Sequence, residues 1–289
     1  MTADEIDLPA ALDAVSTTRP LIDAVTNVVT VNAVANTTIH WGGLPVMAND
    51  RREVTEMVAT ADGCLLNTGD VSETGEETAV AAGRTANEHG LPITLDPVGV
   101  GATPTRAAVI ERLLETLDIA VINGNHAEIG AIADGADEAG ATSEIRGVEA
   151  VGEGEIGDLA ATTLACARET DAVVVASGET DVVASDEAAY AVTVGHPMMG
   201  QVVGTGCMLG ATLSVFAASC DDPLAAALTA TTAYGIAGER AAAGEYGEYV
   251  GPASYEVAFR DAMAGIAAEG DVPAGTDVNA RIESVAALE

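Results

Sequence analysis

The run Val203-Gly204-Thr205-Gly206-Cys207 holds the first residues able to do chemistry. It follows a β-like stretch, Ala188–Val194, and opens an apolar helix-like stretch from Met208 to Ala218. Two glycines before a helix let a ligand approach the backbone, and the helix start offers unpaired N–H groups and the positive end of a dipole. Such a place holds phosphate and stabilises the charge that develops during its transfer. Cys207, in the first turn, is placed to touch whatever lies there. Gly-x-Gly before a helix is also ordinary turn geometry, and a cysteine can be an inert buried thiol. The run therefore needs support from the rest of the chain.

That support comes from polar residues at the ends of apolar, strand-like runs. Asp96 follows Ile93-Thr-Leu and precedes Pro97-Val-Gly-Val-Gly. Asn123-Gly124-Asn125 follows Ala120-Val-Ile, and Glu128 comes one helical turn after Asn125. Ser177-Gly178-Glu179 follows Val173-Val-Val-Ala, and Thr26-Asn27 follows the first strand-like run. Each has a second reading. Asp96 before proline is a turn device, and Asn125 with Glu128 at the N3 position is a capping box. Ser177-Gly178 reads equally as a turn and Thr26-Asn27 as a strand end. Carboxylates and an amide beside a phosphate site suit Mg²⁺, which takes few protein ligands and shares phosphate oxygens.

The elements that must position these residues alternate along the chain. Strands are expected at Pro20–Thr26, Leu44–Ala48, Gly63–Asn67, Leu91–Asp96, Ile119–Ile122 and Asp171–Ala176. Helices are expected near Val31–His40, Arg51–Thr60, Glu73–His89, Thr105–Leu117, His126–Asp134 and Glu155–Thr170. Such alternation predicts an α/β fold, with a mostly parallel central sheet and helices on both faces. Continuous apolar strands such as Ala172–Ala176 fit a sheet covered on both sides. A β-hairpin is expected from Asp181–Ser185 and Ala188–Val194, then helices at Cys207–Ser219, Pro223–Ala243 and Ser254–Glu269. The stretch Gly135–Gly157 reads as a mobile connection with a short helical piece. No repeat or linker divides the chain, so residues 1–289 are expected to form a single domain. Parallel sheets bind ligands at the carboxyl ends of their strands, which brings the polar residues above to one rim.

Composition narrows the partners. The net charge is −34, and all eleven basic residues are arginine. So acidic a chain lacks the basic face that nucleic acid or an anionic membrane surface needs. Aromatics make up 3% of the chain and apolar residues 48%, so the core is built from small aliphatic side chains. Scattered acids on a well-patterned chain predict a folded protein with an acidic surface, suited to a high-salt cytoplasm that screens self-repulsion. The four cysteines and four histidines show no metal-finger spacing. From Ala188 to Cys220 no residue is charged, yet the run contains Gly195, Pro197, Gly200, Gln201, Gly204 and Gly206. A strand, a glycine loop and a buried helix fit it better than a membrane span. The acidic N-terminus has no apolar signal core, and a cytoplasmic location is expected.

Nine ordered stretches resemble the hydroxyethylthiazole kinase family of the ribokinase-like superfamily. They include Thr26-Asn27-Val-Val-Thr, Gly43-Leu-Pro-Val-Met47-Ala, Leu65-Leu-Asn-Thr-Gly, Leu95-Asp-Pro-Val-Gly-Val-Gly, Gly124-Asn-His-Ala-Glu, Ser177-Gly-Glu-Thr-Asp and Val203-Gly-Thr-Gly-Cys207. The cysteine, where most ribokinase-like relatives carry aspartate, singles out this family. The resemblance implies ATP-dependent phosphorylation of 4-methyl-5-(2-hydroxyethyl)thiazole in thiamine biosynthesis and salvage. It implies that Met47 and Gly204 contact the thiazole, with Asn27 nearby. Gly206 and Cys207 would lie at the hydroxyethyl oxygen and the transferred phosphate, and Cys207 would be the catalytic residue. Asp96 and Glu128 would hold Mg²⁺ or its waters. Asn123, Ser177, Thr205 and Gly206 would line the nucleotide site. Asn123 stands where many members have an arginine, and Gln201 where a basic residue is common; the first departure removes a cation and five donors. The family forms trimers with sites where neighbouring subunits meet, so a homotrimer is implied here. Two other readings share this fold: a kinase for another small alcohol such as hydroxymethylpyrimidine, and an ATP- or ADP-dependent hydro-lyase.

Overall fold

A computed structural model describes residues 6–134, 153–270, 272 and 276–287. Helix α1 (Leu8–Thr18) starts on an Asp7 cap and ends where Arg19 takes a left-handed backbone (φ 47°), turning the chain into β1 (Leu21–Val25). With β1, the next elements make five strand–helix repeats. They comprise α2 (Val31–His40), β2 (Leu44–Val46), α3 (Val54–Val58), β3 (Gly63–Asn67), α4 (Glu73–Glu88), β4 (Ile93–Asp96), α5 (Pro104–Thr116), β5 (Val121–Asn125) and α6 (His126–Ala133). After α7 (Glu153–Thr170) come β6 (Val173–Ser177), β7 (Asp181–Ala184) and β8 (Ala188–Val192). The last elements are α8 (Thr205–Ala217), α9 (Pro223–Ala242), α10 (Pro252–Glu269) and β9 (Ile282–Ala287). The expected connection Gly135–Gly157 lies outside the described residues, apart from the start of α7.

The nine strands form one sheet in the order β2-β1-β3-β4-β5-β6-β7-β8-β9. Strands β1 to β6 pair in parallel, and β7, β8 and β9 continue antiparallel. The expected α/β architecture and the β7–β8 hairpin are both present. Helix α1 and strand β9 were not expected. Strand β9 pairs with β8 through a register shift at Ala189/Tyr190 and extends the sheet edge. Its sequence, Ile282-Glu-Ser-Val-Ala-Ala, has no sustained alternation, so its pairing depends on a strand ninety residues earlier in the chain.

Alternate side chains feed two cores. Leu65, Val175, Val183 and Val192 face the layer built by α1, α2, α8, α9 and α10. Cys64, Leu66, Val174 and Ala184 face the layer built by α3 to α7. This period of two is what a doubly covered sheet requires. Helix α8 has no polar face: Met208 to Phe216 are all buried. It lies between the sheet and α9, pinned by the Trp41 Nε1–H bond to Thr212 Oγ1 (2.9 Å) and the edge-on Trp41–Phe216 contact. The uncharged run Ala188–Cys220 is thus a strand, a glycine loop and a buried helix. Among the described residues no helix is long and apolar enough to cross a membrane.

One buried charge works against this sheet. Asp23 is 0% exposed in β1 and stands beside Cys64 in register. Its Oδ1 accepts from the Ala48 N–H (3.2 Å), while Oδ2 has no partner. Burial, reinforced by the nearby Glu53 charge, pushes its carboxyl up to about 7, against the lowering effect of the Ala48 bond. The folded state therefore favours the neutral acid. The stability Asp23 contributes is complete below the ordinary carboxyl value of 3.8 and is lost as pH rises through about 7. Asp23→Asn is expected to melt at least ~4 °C above wild type near pH 8.5, with a smaller gap near pH 5. Thermal melts at constant salt test this; an equal gap at both pH values would show that the charge is immaterial.

Candidate active site

Strand order reverses at β1, which has β2 on one side and β3 on the other. Such a switch opens a crevice at the carboxyl ends of the strands. Asn27 follows β1, Asn67 ends β3, Asp96 ends β4 and Asn123 lies in β5, all within 6% exposure. Above them sits the first turn of α8. Gly204 is its cap in the left-handed region (φ 89°), where a Cβ would also meet Thr30 Cγ2 at 2.7 Å. Only glycine allows both the turn and the close approach of the two loops. The N–H groups of this first turn have no intrahelical acceptor and point toward the rim.

The polar groups form a connected set. Asn27 Oδ1 accepts from the backbone N–H of Val29 and Thr30 (both 3.0 Å). Its Nδ2 donates to Thr30 Oγ1 and Asn67 Oδ1 (both 2.8 Å) and approaches Cys207 Sγ at 3.9 Å. Asn67 Nδ2 donates to Asp96 Oδ2 (2.5 Å) and Cys207 Sγ (3.2 Å). Asn67 therefore links Asn27, Asp96 and Cys207. It was not singled out among the candidate residues, although the strand-end pattern that selects Asp96 applies equally to it. Arg106 was also missed. It donates to the carbonyls of Thr68 (3.0 Å), Gly69 (3.0 Å) and Val98 (2.7 Å), tying the loops after β3 and β4 together. Its place inside α5 gave no sequence signal for that.

Glu128 both caps and braces. It completes the capping box with Asn125, its Oε2 accepting from the Asn125 N–H (2.8 Å). Its Oε1 accepts from the Gly99 N–H (2.7 Å), so it holds the loop that follows Asp96. Burial raises the Glu128 carboxyl despite those bonds and the Arg106 charge. Burial and then the Glu128 charge push Asp96 up to about 8. A buried carboxylate whose ionisation a neighbouring carboxylate opposes gains from a cation beside it. The buried Asn123 Oδ1 has no partner, a neutral hard oxygen on the strand next to that of Asp96. No group of three or more acidic, histidine or cysteine side chains placed to hold a metal ion forms among the described residues. One or two carboxylates with a neutral oxygen is the kind of set that Mg²⁺ takes when phosphates and water complete its shell. These residues fit that ion.

Cys207 shows which of two opposed influences wins. A helix N-terminus favours a thiolate, but burial comes first here, and the Asp96 charge adds to it. Together they push the thiol up to about 11 against the donors Thr30 and Asn67. Cys207 is therefore a neutral thiol at physiological pH.

The remaining candidates lie around this centre. Asn123 is 1% exposed, and its Nδ2 donates to the Gly206 carbonyl (3.0 Å). Its amide lies beneath the loop rather than on the loop's surface. Thr205 gives its carbonyl to Tyr234 O–H (2.7 Å), which fixes the other side of the turn. Ser177 ends β6, one strand from Asn125, and its hydroxyl reaches the Gly124 carbonyl (3.3 Å). A Cβ at the next residue, Gly178, would run into the His126 ring. Met47 follows β2, half-buried against the α2–α8 layer and two strands from Asn67. A cavity of about 240 Å³ opens beside Asn67, walled by Thr26, Thr68, Asp70 and the start of α4. Cys207, Asp96 and Glu128 are not among its walls, so it adjoins the polar centre without containing it.

The model of the hydroxyethylthiazole kinase family matches residues 12–269. The chain belongs to the hydroxyethylthiazole kinase family. A hydroxyethylthiazole kinase of Natronomonas pharaonis is 58% identical over 282 residues, covering 97% of this chain and 96% of the relative. The solved structure of a hydroxyethylthiazole kinase protein from Pyrococcus horikoshii OT3 superposes with a TM-score of 0.78 at 32% identity, covering 96% of this chain and 98% of that one. A ribokinase-like superfamily protein from Enterococcus faecalis V583 superposes with a TM-score of 0.62 at 13% identity, covering 91% of this chain and 95% of that one. That last likeness concerns the fold alone, which is ribokinase-like. The family is one of kinases, with ATP as co-substrate.

Proposed function

We propose that this protein transfers the γ-phosphoryl group of ATP to the primary hydroxyl of 4-methyl-5-(2-hydroxyethyl)thiazole, as one kinase domain serving thiamine biosynthesis and salvage. The carrying observation is Cys207 on the first turn of α8, bonded into the Asn67–Asp96 pair. Phosphoryl transfer asks a protein mainly for positioning and charge stabilisation. The unpaired N–H groups of the α8 turn supply the second, in a site closed to water on the sheet side. Cys207 Sγ accepts the hydrogen bond of the substrate hydroxyl. A neutral thiol suffices, because the alcohol proton can leave late in a loose transition state.

Met47, Gly204 and Asn27 contact the thiazole ring. Ser177, Thr205 and Gly206 line the nucleotide site, and Asn123 serves it by holding the Gly206 carbonyl. Asp96 and Glu128 hold Mg²⁺, which when bound supplies the positive charge on the phosphates. That charge matters more here because Asn123 is neutral and buried. The net charge of −34 supports a protein working in a salt-rich cytoplasm.

The assembly is a homotrimer, with Met47 and Cys207 of one site contributed by different subunits. The supporting observation is an apolar rim: Val28, Val29 and Val203 are 78%, 72% and 77% exposed beside the α8 turn. Ile39 and Leu44 add further exposed apolar surface. Such surface calls for a cover, and closed cyclic symmetry gives three equal sites.

Product analysis with ATP, Mg²⁺ and a panel of small alcohols in molar KCl tests the reaction. Phosphorylated thiazole alcohol is the expected product; turnover of hydroxymethylpyrimidine alone would overturn the substrate. Glu128→Gln is expected to lower kcat at least ~10²-fold, and wild-type activity would reduce Glu128 to a helix cap. Cys207→Ala should bind the thiazole while kcat falls roughly 10-fold to 10³-fold, and Cys207→Asp should keep or raise activity. If the alanine variant equals wild type and the aspartate variant is dead, the cysteine only packs. Light scattering in high salt should give a trimer; a fully active monomer would contradict the assembly.

A further inference from the structure

The hydrogen atoms of the amide set follow from the backbone, and they give Asn67 a defined task. A backbone N–H can only donate, so an atom that receives one is an acceptor. Val29 and Thr30 donate to one terminal atom of Asn27, which must be its oxygen. Its NH₂ therefore faces Asn67. The Gly69 N–H donates at 3.0 Å to the same Asn67 atom that Asn27 reaches, so that atom is oxygen as well. The orientation of Asn67 is thus fixed twice. Its NH₂ must face Asp96 Oδ2 and Cys207 Sγ, one hydrogen for each. Gly69 preserves this arrangement, because a Cβ there would lie 2.6 Å from Asn27 Nδ2.

Asn27 spends its two hydrogens on Thr30 Oγ1 and Asn67 at 2.8 Å, and its approach to Cys207 is the longest of its contacts at 3.9 Å. Asn67 is then the main amide donor to the sulfur. With a donor aimed at its lone pairs, Sγ is held as an acceptor at a fixed distance from the Asp96 carboxylate. We propose that Asn67 is a positioning residue of the phosphoryl transfer: its locked amide holds Cys207 Sγ and the Asp96 carboxylate together. Asn67 acts on the reacting atoms through those two side chains.

The proposal rests on the kinase reading for its kinetic consequence, but not for its chemical one. Asn67→Leu keeps the branched shape of the side chain and removes its side-chain hydrogen bonds. Its kcat for the thiazole alcohol is expected to fall about 10²-fold, the effect of misplacing a reacting group, with KM within about 3-fold. In parallel, full-length protein without substrates is treated with iodoacetamide at one pH, and the Cys207 peptide is followed by mass spectrometry. Losing a donor to the sulfur should slow its alkylation about 10-fold. A residue that merely packs would do the reverse, since a loosened site exposes Sγ and speeds alkylation. Unchanged or faster alkylation, or an unchanged kcat, overturns the proposal. If Asn67→Leu does not fold, Asn67→Ala carries the same comparison. A wild type inactive on the thiazole would refute the substrate reading, while the alkylation result would still decide the Asn67–Cys207 link.

Discussion

A helix with no polar face has to be buried on all sides, and α8 meets that requirement by lying between the sheet and α9. From Met208 to Phe216 every residue is buried. That depth fixes where its N-terminus falls: above the carboxyl ends of β3, β4 and β5. The free N–H groups of the first turn are thereby delivered to the carboxyl ends of the strands, where open parallel sheets bind ligands. Gly204 and Gly206 make the delivery possible. The first takes the left-handed turn, and the second offers its carbonyl to Asn123.

Polar groups brought to such a place must satisfy one another. Burial drives Asp96 and Cys207 toward their neutral forms, and amides rather than cations answer for them. In a chain with eleven arginines and no lysine this is a consistent choice. Arg106, beside the site, is occupied by three backbone carbonyls and organises loops. In the proposed reaction the positive potential that phosphate needs falls to the helix terminus and to the proposed Mg²⁺. The exposed valines at the same rim add an apolar edge to an otherwise acidic molecule.

Glu128 illustrates why a helix cap and a functional carboxylate need not be alternatives. Its two oxygens hold the Asn125 and Gly99 N–H groups, which fixes the carboxylate against both the helix and the loop after Asp96. A carboxylate has about four lone-pair directions, so two backbone bonds leave room for another ligand. The cap positions the group, and its charge opposes the ionisation of its neighbour Asp96.

Much of this was legible in the residues themselves. The period of apolar runs, the glycine-flanked Cys207 and the polar strand ends gave the parallel sheet, the hairpin and the rim that gathers Asn27, Asp96, Asn123 and Ser177. These are local signals, written within a few residues of the element they define. Strand β9 escaped because it exists only as a partner of β8, whereas α1 carries local signals, an Asp7 cap and buried Leu8, Ala11, Leu12 and Val15 at helical spacing. Asn67 and Arg106 escaped for a related reason: Asn67 reaches Asp96 across 29 residues, Asn27 across 40 and Cys207 across 140, and Arg106 reaches Thr68 across 38, contacts that no spacing rule encodes. The sequence alone determined which chemical groups are present and at which strand ends they stand. The tertiary structure decided their state: Asn123 beneath the loop instead of on it, Cys207 a neutral thiol, and Asn67 turned one way. Those outcomes depend on burial and on which hydrogen-bond partner is left over, and both are properties of the packed molecule.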